Sequence, residues 1–329
     1  MGEPEFRLTP PDLSRWKPGN TGTEGVWRFD SSEPGPHVAI TALIHGNELC
    51  GAWAVSQLLE LLDGRARLRR GRLTLALCNL QAFARFDESD PHASRFVEED
   101  LNRQWSPDRL ADGSSIERRR AAELRPWLEN ADYLLDLHSM HEEGSALLLT
   151  GMQPRHVEFV RDLGVAGTVV IDPGHAEGKR MRDFGHFGSD ESSARSMLIE
   201  CGYHGNPDSR LVAHDVVHRL LELTGVMALS DLPAHWRQDR PAAQWALEVT
   251  DAIVAQTMDF QFVSPPTDLQ VIEQKGTLIG YEPGQRIVTP YDDCVLVMPS
   301  LRQLRPGVTV VRLARRRRIR ESAELNTGT

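Results

Sequence analysis

Five short apolar runs decide most of what this chain can fold into: "HVAITALI" (37–44), "LTLALCNL" (73–80), "YLLDLH" (133–138), "ALLLTG" (146–151) and "SMLIECG" (196–202). Each has the length and the β-branched, leucine-rich make-up of a strand, and several are apolar at successive positions rather than at alternate ones. A strand with two apolar faces has to be covered on both, which is the condition of a largely parallel sheet between helices. The intervening sequence supplies those helices. Val55, Leu58, Leu59 and Leu62 follow the i, i+3, i+4, i+7 spacing, and Gly64 ends that segment. "SIERRRAAELRPWLE" and "PRHVEFVRDLG" are further helical segments. "GNPDSRLVAHDVVHRLLELTG" is the clearest: Asn206 caps it, Pro207 suits its first position, Ala213, Val216, Val217, Leu220 and Leu221 form its stripe, and Gly225 closes it.

The pattern changes after the polar, two-proline stretch "SDLPAHWRQDRPAAQ" (230–244). Beyond it, "LQVIEQKGTLIGYEP", "RIVTPYDDCVLVMP" and "GVTVVRL" are short β runs divided by Gly, Pro and Asp turns. The expected class is α/β: a mixed, largely parallel sheet flanked by helices, with a smaller C-terminal all-β domain. The expected boundaries are 1–230 for the catalytic domain, 231–244 for a linker and 245–329 for the β domain. No apolar run approaches the roughly 20 residues needed to span a bilayer. The start, "MGEPEFRLTPPDLSRW", carries acids and prolines where a secretion signal has a basic start and an apolar stretch. Cys50, Cys78, Cys201 and Cys294 are scattered in apolar surroundings without a C-x-x-C pair, as reduced buried thiols are. A cytoplasmic protein is expected. The net charge of −10 argues against nucleic acid or anionic lipid as a partner. The one basic run, "RLARRRRIR" (312–320), alternates with apolar residues as a solvated last strand does.

Chemistry concentrates where strands end. In "ITALIHGNELCGAW", His45 stands past an apolar run and Glu48 at the start of a helix, the place where open α/β sheets hold ligands. Gly46 permits the sharp turn that lets imidazole and carboxylate converge on one ion. A second run, "YLLDLHSMH", delivers His138 at a strand end, with Asp136 on the same face as a supporting carboxylate and His141 as a rival ligand. Two histidines and a glutamate with an open fourth position form a catalytic zinc set. Glu200 is a carboxylate inside the apolar "SMLIECG", where an unpaired charge costs several kcal/mol, and beside zinc it can take and return a proton. In "SRFVEEDLNRQW", Asn102 and Arg103 are adjacent donors suited to a carboxylate, and Arg95 can point at an oxyanion.

"HGNE", "RFVEEDLNR", "DLH" and "IECG", in this order and with these gaps, resemble the succinylglutamate desuccinylase and aspartoacylase family, relatives of the zinc carboxypeptidases. The resemblance runs from about residue 36 to 206 and extends to a β-rich C-terminal domain. It implies a zinc carboxypeptidase-like catalytic domain, one zinc per chain bound by His45, Glu48 and His138, and Glu200 as general base and acid. It also implies that Arg95 polarises the scissile carbonyl and that Asn102 and Arg103 hold a substrate carboxylate. The family's further arginine and tyrosine upstream of the catalytic glutamate have no matching residue in "DFGHFGSDESSARSMLIE"; Arg195 or Arg182 can stand in, and Tyr291 of "TPYDD" can reach over from the β domain.

The activity expected is zinc-dependent hydrolysis of the amide bond of an N-acyl amino acid or similar small carboxylate-bearing amide. A metallocarboxypeptidase acting on peptides and a catalytically silent metal-binding regulatory protein are the alternatives. Thiol catalysis fits less well, because Cys50 and Cys201 adjoin site residues without a partnering base. Association into a homo-oligomer stays open.

Overall fold

The computed structural model describes residues 4–64, 66–174 and 177–321. Its strands are β1 (Val26–Asp30), β2 (His37–Ala42), β3 (Arg72–Leu77), β4 (Tyr133–Met140), β5 (Leu147–Thr150), β6 (Thr168–Ile171), β7 (Arg195–Tyr203), β8 (Ala243–Val254), β9 (Gln261–Phe262), β10 (Val271–Ile272), β11 (Leu278–Glu282), β12 (Gln285–Val288), β13 (Cys294–Val297) and β14 (Thr309–Glu321). The α-helices are α1 (Leu49–Asp63), α2 (Leu80–Phe83), α3 (Pro107–Ala111), α4 (Ile116–Leu128), α5 (Pro154–Leu163) and α6 (Ser209–Thr224). Eleven strands form one sheet in the order β1-β3-β2-β4-β7-β5-β6-β8-β14-β13-β10, and β12-β11-β9 form a second, three-stranded sheet. The centre of the large sheet is parallel, through β3, β2, β4 and β7.

The double-sided apolar runs are explained by what covers them. Val38, Ile40, Leu135 and Leu137 face a core shared with α1, α5 and α6. Ala39, Ala76 and Leu134 face the opposite core, where Ala121, Leu124 and Leu128 of α4 meet Trp105, Phe184 and Phe187. The mixed sheet between helices therefore matches the expected class. Helix α6 starts two residues later than its sequence suggests. Asp208 is its N-cap residue, and the Asn206 side chain accepts from the Asp208 N–H (2.9 Å) in the turn ahead of it. Gly225 closes it at φ +63°, a backbone conformation that favours glycine.

The polar stretch 231–244 is well packed. Leu232 and Trp236 are buried, the Trp236 ring stacks on His214 of α6 at 4.6 Å, and Ala243 already begins β8. Strand β8 pairs in parallel with β6 and antiparallel with β14, so the C-terminal strands prolong the central sheet. The arginine run lies on β14. Arg315 sits over Tyr291, Arg316 and Arg318 sit over Trp245, and Arg317 pairs with Glu248. Among the described residues no helix is long and apolar enough to cross a membrane, and all four cysteines are free and buried.

One buried side chain fixes the loop that later proves central. Glu117, in the first turn of α4, is fully buried. Its carboxylate accepts from the backbone N–H groups of Val97 (2.7 Å), Glu98 (3.1 Å) and Glu99 (3.1 Å), and from Asn79 Nδ2 (3.1 Å). Glu117→Ala leaves those donors without an acceptor, so it should destabilise the chain by about 3 kcal/mol. Urea denaturation checks this as a lower midpoint at unchanged slope; a loss below about 1 kcal/mol would show that other contacts hold the loop.

Candidate metal centre and active site

Three strand ends build the site. Past the end of β2, Leu43 is buried at φ +58°, a left-handed turn uncommon for leucine that redirects the chain toward His45. Gly46 is required by close approach. A Cβ there would stand 2.3 Å from the Ser94 carbonyl oxygen and 2.5 Å from the Phe83 nitrogen. Its N–H donates to the Arg95 carbonyl (3.1 Å), which pulls the 94–95 segment against the turn. Glu48 is the N-cap residue of α1, yet its side chain makes no capping bond.

That carboxylate instead meets both histidines. His45 Nδ1 lies 2.7 Å from Glu48 Oε1, and His138 Nδ1 lies 2.8 Å from Oε2. One ligand atom from each of the three lies within 4.8 Å of the others, all three side chains are buried, and the set can hold a metal ion. The outward ring nitrogens are also engaged. His45 Nε2 is 3.0 Å from Asp100 Oδ1, and His138 Nε2 is 2.7 Å from Asp136 Oδ2. The Thr41 hydroxyl donates to the other Asp136 oxygen (2.7 Å). With each Nε2 facing a carboxylate, both Nδ1 atoms are left to face inward, as ligand histidines require. The donor chemistry fits a zinc-type ion.

Electrostatics follow the same contacts. Burial alone would raise the Glu48 pKa, but His45 and His138 hold it well below the usual value. Burial would lower His138, but Asp136 and Glu48 hold it well above. Asp100 is kept low by His45, Arg103 and Arg95 against its burial. Glu200 lies beside His138 on β7, paired with it in register. Burial first, and Glu48 second, push its pKa up to about 8. Its Oε2 is buried and has no hydrogen-bond partner.

Several arginines stand around this group. Arg95 Nη1 reaches Glu48 Oε1 (3.4 Å) and Nη2 reaches Asp100 Oδ2 (3.3 Å). Asn102 and Arg103 sit on a 3-10 turn, Leu101–Arg103. Asn102 Oδ1 accepts from the Met181 N–H (3.0 Å), and Arg103 Nε is buried without a hydrogen-bond partner. Arg195 is not part of this group. It lies at the opposite end of β7 from Glu200, over the Tyr133 ring at 5.8 Å. Arg182 is sealed in the interior, where one Nη donates to the Asp172 carbonyl (3.1 Å). The arginines whose charges reach Glu200 are Arg95 and, more weakly, Arg180, whose two Nη atoms lie 3.1 Å from Asp172 Oδ2. Arg312 of β14 joins the same oxygen at 3.1 Å.

Tyr291 is buried in the C-terminal core, with its hydroxyl 2.7 Å from Thr250 Oγ1. Cys201 is buried and its thiol is pushed well up by that burial and by Cys50, so it is not an available nucleophile. Asp100, Asp172, Arg180 and Arg312 were given no role by the sequence. The "DLNR" and "KRMR" runs contain two of them, Asp100 and Arg180, but spacing does not say which side chain faces inward.

Comparison with known proteins gives a family for part of the chain. Residues 34–191 match the succinylglutamate desuccinylase/aspartoacylase catalytic domain. No curated protein matches by sequence. Solved structures share the fold. Succinylglutamate desuccinylase from Vibrio cholerae superposes with TM-score 0.66 at 18% identity, covering 88% of this chain and 85% of that one. The succinylglutamate desuccinylase/aspartoacylase from Rhodobacter sphaeroides gives 0.61 at 16% identity, covering 86% of both chains. The product-bound ectoine utilization protein EutE (DoeB) from Ruegeria pomeroyi gives 0.60 at 15% identity, covering 88% of both. The matched segment includes His45, Glu48, Arg95, Asp100, Asn102, Arg103 and His138 and stops short of Glu200. Residues 34–191 of this chain belong to the succinylglutamate desuccinylase/aspartoacylase catalytic-domain family.

Proposed function

We propose that the chain hydrolyses the amide bond of an N-acyl amino acid or a similar small carboxylate-bearing amide, with zinc held by His45, Glu48 and His138. One observation carries this reading: the buried His–Glu–His set stands beside the unpartnered Glu200 carboxylate, with the Arg95 guanidinium in contact with the same glutamate ligand. Bound zinc supplies Lewis acidity, which lowers the pKa of a coordinated water toward about 7 and polarises a carbonyl.

The chain's own residues do the rest. Glu200 takes the proton from the attacking water on a carboxylate oxygen and delivers it to the amine nitrogen as the C–N bond breaks. Arg95 donates to the oxygen on which negative charge develops. Arg103, with Asn102 beside it, grips the substrate carboxylate, and Arg180 and Arg312 add positive potential behind it. Asp100 and Asp136 keep the two ligand rings in the tautomer that presents Nδ1. The C-terminal part narrows the approach. Arg302 Nε and the Ser300 hydroxyl donate to Glu142 (2.7 and 3.1 Å), and the Gln303 amide lies 3.1 Å from His141 Nε2. A loop pinned at those points favours small amides over peptides. The four free, buried cysteines agree with a cytoplasmic setting.

A panel of N-acetyl, N-succinyl and longer N-acyl amino acids tests the reading directly. Release of free amino acid from one acyl class, abolished by chelation and restored by zinc, is the expected result; hydrolysis of peptides alone would replace it with the carboxypeptidase alternative. Glu200→Gln should lower kcat by about 10³-fold or more while zinc stays bound at one equivalent, as metal analysis after dialysis will show. His45→Ala should lose zinc under the same dialysis, and full retention would remove His45 from the ligand set. Asp100→Asn should weaken zinc about 10- to 100-fold in competition with a chelator, and unchanged affinity would confine Asp100 to holding Arg95.

A further inference from the structure

Three imidazoles cluster beside the metal centre and take no part in it. His141 Nδ1 lies 3.2 Å from His204 Nε2 and 3.2 Å from His92 Nδ1, and His204 Nδ1 lies 2.7 Å from the Ser139 hydroxyl. They do not form a second ligand set: among the described residues, only His45, Glu48 and His138 bring ligand atoms together in this way. What distinguishes His141 is its other nitrogen. His141 Nε2 is 3.3 Å from Arg95 Nη1 and 3.1 Å from Gln303 Nε2.

A guanidinium only donates. His141 Nε2 must therefore offer a lone pair, the ring must be neutral, and its single proton must sit on Nδ1. That proton is then shared with His204 Nε2 and His92 Nδ1. His204, accepting at Nε2, carries its own proton on Nδ1 and donates to Ser139 Oγ. The chain of bonds ends on β4, next to His138, and the Ser139 N–H in turn points at Glu48 Oε2 (3.4 Å). The hydrogen-bond chain is thus anchored on the strand that carries a ligand histidine, and its free end holds Arg95.

We propose that His141 is a positioning residue for Arg95: an imidazole locked by His204 in the Nδ1–H tautomer, whose Nε2 lone pair holds the guanidinium over the metal centre. Without that acceptor, Arg95 has only carboxylates to pair with, Glu48 and Asp100, and these draw it onto the ligand set. The neutral acceptor on the far side gives Nη1 a third direction without adding charge. Gln303 donates to the same lone pair, so the C-terminal loop meets the catalytic arginine at this ring. The effect on turnover rests on the function proposed above for Arg95; the tautomer does not.

The experiment uses the zinc-loaded full chain on whichever N-acyl amino acid the wild type turns over best. His141→Phe should lower kcat about 10- to 100-fold, with KM within about threefold and zinc content unchanged, an effect no larger than loss of an oxyanion donor itself. His141→Gln, whose amide oxygen can stand near the place of Nε2, should recover most of the rate. Added to Arg95→Ala, His141→Phe should cost nothing further. An equal loss in both backgrounds, or a raised KM at unchanged kcat, would overturn the proposal. Nitrogen-15 NMR of the imidazoles separates this from the reaction: wild-type His141 should show the Nδ1–H form, and His204→Phe, which removes an acceptor of that proton, should weaken the preference. A wild-type His141 in the Nε2–H form overturns the inference even if no N-acyl amino acid is hydrolysed.

Discussion

The structure turns on one carboxylate. Glu48 lies at the start of α1 with its side chain buried, and its two oxygens are divided between His45 Nδ1 and His138 Nδ1. A lone buried carboxylate is costly, and this one is tolerable because an imidazole from the turn after β2 and one from β4 arrive at it together, with Arg95 and the Ser139 N–H at longer range. That requirement fixes the mutual position of the β2 turn, the end of β4 and the N-cap of α1. It also explains why Glu48 leaves the helix uncapped: its side chain is engaged elsewhere.

The surrounding parts supply carboxylates, then cations, in shells of alternating charge. Asp100 and Asp136 sit on the outer nitrogens of the ligand histidines. Arg95 and Arg103 sit on Asp100 in turn. Further out, Asp172 carries both Arg180 and Arg312. Each layer neutralises the one inside it only in part, and burial pushes Arg312 down to about 10 beside Arg180. Arg312 comes from the last strand, so the C-terminal region contributes charge to the group around Asp172.

Close approach matters as much as charge. The 94–103 segment has little regular structure, yet it delivers Arg95, Asp100, Asn102 and Arg103. It is held from one side by Gly46, which has no Cβ to keep the Ser94 carbonyl away, and from the other by the buried Glu117 carboxylate on α4. Neither residue touches the chemistry, and both decide where it happens.

Much of this was legible in the order of residues. Apolar runs with two covered faces imply a helix-flanked sheet, because an uncovered apolar face is unstable in water. Strand-end His45 and His138, with Glu48 and Glu200, stand out as polar residues where apolar ones belong. The strands around Val26 and Thr168 leave no clear mark in the sequence because they are short and lack a distinctive period, and a turn at Asn206 imitates the cap of α6. Spacing could not say that Arg180 rather than Arg195 shares the pocket with Glu200, since residue 195 opens a strand whose other end forms the site. It could not foresee that β8 would pair with β6 and carry the C-terminal strands onto the main sheet. Local pattern determined which segments are strands and helices and which residues are out of place in them, because burial imposes a period on neighbours in the chain. Only the tertiary structure decided which of those residues meet, because the partners of Glu48, Asp100 and Asp172 lie on separate strands and loops, and convergence in space leaves no period in sequence.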